Sequence, residues 1–138
     1  VRLNEYLDDA GGDVLVCGCG CGYGSRVEHW RHGERVTVVD IHAAIRGQIG
    51  GPVMSLSGAR CPRHNAQVSI ANFSQHPICC ALDLRCPPGW DMNKWRMLCE
   101  NVVASITDGQ GGVGFYPTQR FVHVDEGLDE APGRRWTA

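Results

Sequence analysis

The last third of the chain fixes most of what it can fold into. Val113-Gly114-Phe115-Tyr116 and Phe121-Val122-His123-Val124-Asp125 flank Pro117-Thr118-Gln119-Arg120 and read as the arms of a β-hairpin. Ahead of them, Asp91 can cap a helix running to about Ile106, with Trp95, Leu98, Val102 and Ile106 on one face. Ala81-Leu82-Asp83-Leu84 is a strand candidate ended by Cys86-Pro87-Pro88-Gly89, and Val53-Met54-Ser55-Leu56-Ser57 alternates like another. Val38, Ile41, Ile45 and Ile49 recur at helical spacing within 34–49, a helix stopped by Gly50-Gly51-Pro52. Residues 58–75 read mostly as loop, with a helical turn near Asn65–Val68. Strand, helix and hairpin in this order predict an α+β fold with a small antiparallel sheet and helices packed on one face.

Composition excludes several classes. A chain of 138 residues has the length of a single domain. With 43% hydrophobic and 20% charged residues it has globular composition, not that of a disordered segment. No apolar run approaches the roughly 18–20 residues of a membrane helix. A net charge of −2 argues against a nucleic-acid partner. Val1-Arg2-Leu3-Asn4-Glu5 lacks the pattern of a signal peptide, and the missing initial Met suggests trimming or a fragment. The compartment stays open on these grounds.

Glycine and cysteine are in excess, with 18 and 8 residues. Cys17, Cys19 and Cys21 alternate with glycines, and in an extended segment their thiols would share a face. A structural zinc, disulfides to Cys61 or Cys86, and a glycine loop with free thiols all fit that spacing. Cys79 and Cys80 are adjacent and are expected to take different partners or to stay free. The run Val14-Leu15-Val16 into Cys17-Gly18-Cys19-Gly20-Cys21-Gly22, with Asp40 after Val36-Thr37-Val38-Val39, also resembles the first βαβ unit of an S-adenosylmethionine methyltransferase. Too little chain follows Asp40 to complete such a fold, so this is the least favoured reading.

A different set of residues carries hydrolytic chemistry. His76 lies in a loop, Asp83 on the following strand and His123 in the middle of the last strand. Zinc in hydrolases is commonly held by three N/O side chains with water in the fourth position. Two His and one carboxylate leave a net +1 at the metal, which favours ionising that water.

The surroundings of these residues sharpen the reading. Ser57-Gly58-Ala59-Arg60 followed by His64-Asn65 resembles the SGxR…hN segment of the M15 family of zinc D-Ala-D-Ala metallopeptidases. Ser74-Gln75-His76 and Ala81-Leu82-Asp83-Leu84 resemble its SxHxxGxAxD motif. Gly112 to Pro117 and Phe121-Val122-His123-Val124-Asp125 resemble its late GxGxYP…FVHVD segment, and Arg134-Arg135-Trp136 its closing R-W. The resemblance covers about 34–136. It implies a single peptidase-like domain over 1–138 of hedgehog/DD-peptidase type, with 1–33 as a Cys/Gly-rich extension and 34–136 as the core.

The resemblance further implies that His76, Asp83 and His123 hold Zn²⁺ and that Arg60 holds a substrate carboxylate or carbonyl, a role its planar fork suits. Ser74 and Tyr116 are further substrate-side candidates. Ser74 and Asn65 also read as loop organisers, and His64 is close to Arg60 in sequence. Asp125 shares a strand face with His123. It could be the general base, orient a ligand from behind, or be a plain structural Asp. Trp95 and Trp136 are expected in the core and as a C-terminal anchor, Trp30 and Trp90 in packing, and His29, His32 and His42 at the surface.

The implied function is metal-assisted hydrolysis of an amide in peptidoglycan stem peptides, by a monomer acting at the bacterial cell wall. The alternative is a non-catalytic domain of the same fold. Cys79 where the family has glycine and Arg120 where some branches carry an acid favour it, and Ile70-Ala71-Asn72-Phe73 in place of a Gly-Gly ahead of Ser74 is a third departure.

Overall fold

The computed structural model describes residues 37–58, 60, 62–69, 74–77, 80–128 and 131–138. Cys17, Cys19, Cys21, Trp30, His29, His32, Cys61, Ile70-Ala71-Asn72-Phe73 and Cys79 lie outside the described residues, as does the glycine loop of the methyltransferase reading. In chain order the elements are α1 (Val38–Ile49), β1 (Ser55–Ser57), α2 (Pro62–Val68), β2 (Ala81–Arg85), α3 (Met92–Ile106), β3 (Val113–Tyr116), β4 (Phe121–Asp125) and β5 (Arg135–Thr137). The strands form one sheet in the order β1-β2-β4-β3-β5. Every neighbouring pair is antiparallel except β3 and β5, which run parallel.

Helix α1 begins at Val38, the first residue of its apolar spacing, and not at residue 34. Thr37 is extended and caps it: the Thr37 backbone N–H donates to Asp40 Oδ2 at 2.8 Å, and the Asp40 N–H donates to Thr37 Oγ1 at 3.5 Å. This reciprocal box satisfies N–H groups that a helix start otherwise leaves without partners. Asp40 is thus a helix-capping residue, not the strand-ending acid that a methyltransferase needs. Gly50 ends the helix in the left-handed region at φ 71°. Replacing Thr37 with Ala is expected to lower stability by about 1 kcal/mol, measurable by urea denaturation.

Asp91 caps α3 by accepting from the Asn93 and Lys94 N–H groups, both at 3.0 Å. The buried stripe of α3 is Met92, Trp95, Cys99 and Val103. Leu98, Val102 and Ile106, expected at its centre, flank it and are only partly buried. Cys99 acts here as a small hydrophobe. Burial pushes the Cys86 and Cys99 thiols up, away from the reactive thiolate form. The Trp95 indole N–H donates to Leu84 O at 3.3 Å and ties α3 to the sheet.

Strand alternation sorts the sheet into two faces. Leu82, Leu84, Val113, Phe115, Val122 and Val124 join α1 and α3 in the core. Asp83, His123, Asp125, Gly114 and Tyr116 take the opposite face. Helix α2 does not join the other two helices: Val68 at its end lines a cavity on this second face. Trp90 packs edge-on against Trp95, with centroids 6.2 Å apart. His42, expected at the surface, is buried and its Nε2 meets Val53 O at 3.0 Å. Among the described residues no helix is long and apolar enough to cross a membrane.

Candidate metal centre

The site is one rung of the sheet. Ser57 pairs with Asp83, Asp83 with His123, His123 with Gly114, and Gly114 with Trp136. His76 reaches this rung from a loop that passes over the second face. Buried Gln75 clamps that loop: its Nε2 donates to Leu128 O at 2.7 Å, and the Leu128 N–H donates back to its Oε1 at 3.3 Å. Ser74 Oγ donates to Asn65 Oδ1 at 3.2 Å and accepts the His76 N–H at 3.4 Å.

The structure brings His76, Asp83 and His123 together, with one donor atom from each within 4.8 Å of the others. His76 Nε2 is 3.2 Å from His123 Nδ1 and 3.4 Å from Asp83 Oδ1, and His123 Nδ1 is 3.0 Å from Asp83 Oδ1. The far side of each ring fixes its tautomer. His76 Nδ1 meets the Gly58 carbonyl oxygen at 2.6 Å, and a carbonyl can only accept. His123 Nε2 meets Asp125 Oδ2 at 3.0 Å. With those nitrogens protonated, the neutral rings turn lone pairs toward Asp83 Oδ1. Three acceptors so close repel each other unless a proton or cation stands among them. Their spacing also suits zinc, because bonds of about 2.0–2.1 Å give tetrahedral edges of about 3.3 Å.

The charges agree with that donor set. Burial lowers the pKa of His76 and outweighs the pull of Asp83, keeping the ring neutral. Burial alone would raise the pKa of Asp83, but in the metal-free site a proton standing on His123 Nδ1, with the His76 ring beside it, holds Asp83 well below the usual carboxylate range. Burial also opposes charge on His123, yet its bonds to Asp125 and Asp83 raise its pKa. A cation arriving among His76, Asp83 and His123 therefore replaces the proton that His123 Nδ1 and Asp83 Oδ1 already attract.

Arg60 and Asp125 stand behind these groups. Arg60 donates from Nε to Ser57 Oγ at 2.8 Å and from a terminal nitrogen to Asp83 Oδ2 at 2.6 Å, leaving Asp83 Oδ1 for the centre. Asp125 is fully buried. Its Oδ1 accepts from the Gly112 and Gly127 N–H groups at 2.9 and 2.8 Å, and its Oδ2 accepts from His123 and from Arg134, the latter at 2.9 Å. Arg120 turns away: its guanidinium donates to Trp90 O at 3.2 Å.

Sequence reading did not supply what the glycines do. A Cβ on Gly112 would lie 2.6 Å from Asp125 Oδ2. A Cβ on Gly114 would run into the Trp136 indole, which packs against His123 with ring centroids 5.2 Å apart. Gly114→Ala is expected to push Trp136 aside and cost about 1–3 kcal/mol, checked by urea denaturation. Gly58, Gln75 and Arg134 were also missed as supports, because each acts through a partner distant in sequence.

A cavity of about 590 Å³ opens over the centre. Arg60, Ser74, His76, Asp83, Tyr116, His123, Asp125 and Trp136 are among its lining residues, whereas exposed His64 is not. A family model described as Peptidase M15 matches residues 15–125. No curated protein and no solved structure matches the chain.

Proposed function

The chain belongs to the Peptidase M15 family, and from that premise we propose that it is a zinc metallopeptidase hydrolysing an amide in bacterial peptidoglycan stem peptides at the cell wall. One observation carries the reading: lone pairs of His76 Nε2 and His123 Nδ1 converge with Asp83 Oδ1 in a cavity with room for a peptide segment. When bound there, zinc supplies a water activated near neutral pH and Lewis-acid polarisation of the amide carbonyl.

The chain's own residues do the positioning. The Gly58 carbonyl and the Asp125 carboxylate each hold a ring proton on the outer side of a histidine, so both rings offer their inner nitrogens. Arg60 holds the outer oxygen of Asp83 and orients the substrate carboxylate or carbonyl from the cavity wall. Ser74 shapes the His76 loop on the substrate side. Asp125 is better suited to orienting His123 than to shuttling the reaction's proton, since both its oxygens are occupied by donors.

The test is metal analysis of the purified protein with mass spectrometry of muramidase-digested peptidoglycan after incubation. About one zinc per chain is expected, with amide cleavage lost on chelation and restored by zinc. Zinc bound without any cleavage would identify a non-catalytic domain instead.

A further inference from the structure

Tyr116 lines the same cavity as His76, Asp83 and His123, and its hydroxyl is only half used. The Trp136 Nε1–H donates to Tyr116 Oη at 3.1 Å. An indole N–H only donates, so this bond takes a lone pair of the hydroxyl and leaves its proton. Among the described residues nothing accepts that proton. The phenol ring is held in place by stacking on Phe121, with centroids 4.3 Å apart and planes 12° apart. Trp136 is fixed in turn. It lies over the bare backbone of Gly114, pairs through β5 with β3, and carries the Arg134 guanidinium 5.3 Å from its ring centroid.

We propose that Tyr116 is a substrate-contacting hydrogen-bond donor, its hydroxyl proton turned by Trp136 toward a carbonyl or carboxylate oxygen of the bound peptide. The identity of that ligand rests on the peptidase reading. A peptide offers a carbonyl acceptor at every residue, and a fixed phenol whose acceptor side is already occupied selects for such an oxygen. Arg60 and Tyr116 then supply two donors to one cavity, one charged and one neutral. Trp136 is a positioning residue: it acts by occupying the Tyr116 lone pair.

The experiment compares zinc-loaded wild-type protein, Tyr116→Phe, Trp136→Phe and the double variant. A dye-labelled soluble stem pentapeptide is the probe, with Kd read by rapid-mixing anisotropy before turnover and cleavage followed separately. Loss of one neutral hydrogen bond is expected to weaken binding about five- to tenfold in Tyr116→Phe, with the melting temperature unchanged. Trp136→Phe should weaken it about threefold alone and add nothing in the Tyr116→Phe background. A merely packing role for Trp136 would make the two losses add. Equal Kd for wild type and Tyr116→Phe, or additive losses, overturns the inference and leaves the peptidase reading intact. Wild-type binding with the expected losses but no cleavage overturns hydrolysis and leaves the Tyr116 contact standing. A wild type that does not bind the probe overturns both.

Discussion

A His123→Ala variant is expected to lose zinc and hydrolysis together. His123 occupies the middle of the rung that runs from Ser57 to Trp136, and its Nδ1 is the donor atom nearest to Asp83 Oδ1 at 3.0 Å. Removing a group behind a metal ligand already costs about 10–100-fold in metal affinity. Removing the ligand itself should therefore cost more than about 100-fold, read by competition with a chromophoric chelator. Hydrolysis of muropeptides should fall at least about a thousandfold, because metal activation of water and carbonyl is worth several kcal/mol. The fold should survive, since Val122 and Val124 on the other face of β4 still pack in the core. Asp125→Asn is the graded control and should lose affinity only within the range for a supporting group. Zinc retained at wild-type affinity in His123→Ala would sink the assignment and point instead to the cysteines.

The elements set by local chemistry were legible. The Asp91 cap placed the start of α3, and Pro117–Arg120 placed the turn between β3 and β4. Elements that depend on distant partners were not. Strand β5 has only Arg135–Thr137, without an apolar pattern, and exists because β3 offers it a parallel edge. The start of α1 was set too early, at residue 34, because apolar spacing names the buried face but no first residue, whereas the Thr37–Asp40 box defines it. For the centre, the residue types and their order could be read. That Asp83 stands opposite His123 is a matter of register, and one residue of slip would turn either side chain into the core. The reasons for Gly112 and Gly114 are spaces kept clear for the Asp125 carboxylate and the Trp136 ring. Such spaces leave no trace in composition or periodicity.

Asp125→Ala is expected to be the most destabilising change at the site in the metal-free protein. The carboxylate is fully buried and answers four donors: two backbone N–H groups, His123 and Arg134. Alanine leaves all four without that acceptor, and breaking a buried charged pair from one side costs about 3–5 kcal/mol. Against a typical domain stability of about 5–15 kcal/mol, that is a large fraction. Arg134, a quarter exposed at 24%, can turn to water, so Arg134→Ala should cost less. The pH dependence follows from the same contacts. Burial alone would raise the pKa of Asp125, but the hydrogen bond and charge of His123, then Arg134 and the Gly112 N–H, hold it below the usual carboxylate range. A depressed carboxylate contributes fully above its unfolded pKa of about 3.9 and loses that contribution as pH falls toward its folded value. Urea midpoints followed from pH 6 to below pH 3 should therefore fall more steeply for wild type than for Asp125→Ala once the pH drops below about 4, so that the gap between the two curves narrows toward the acid end. Parallel curves would show that Asp125 carries no net charge-dependent stability. Its role would then reduce to filling space behind His123.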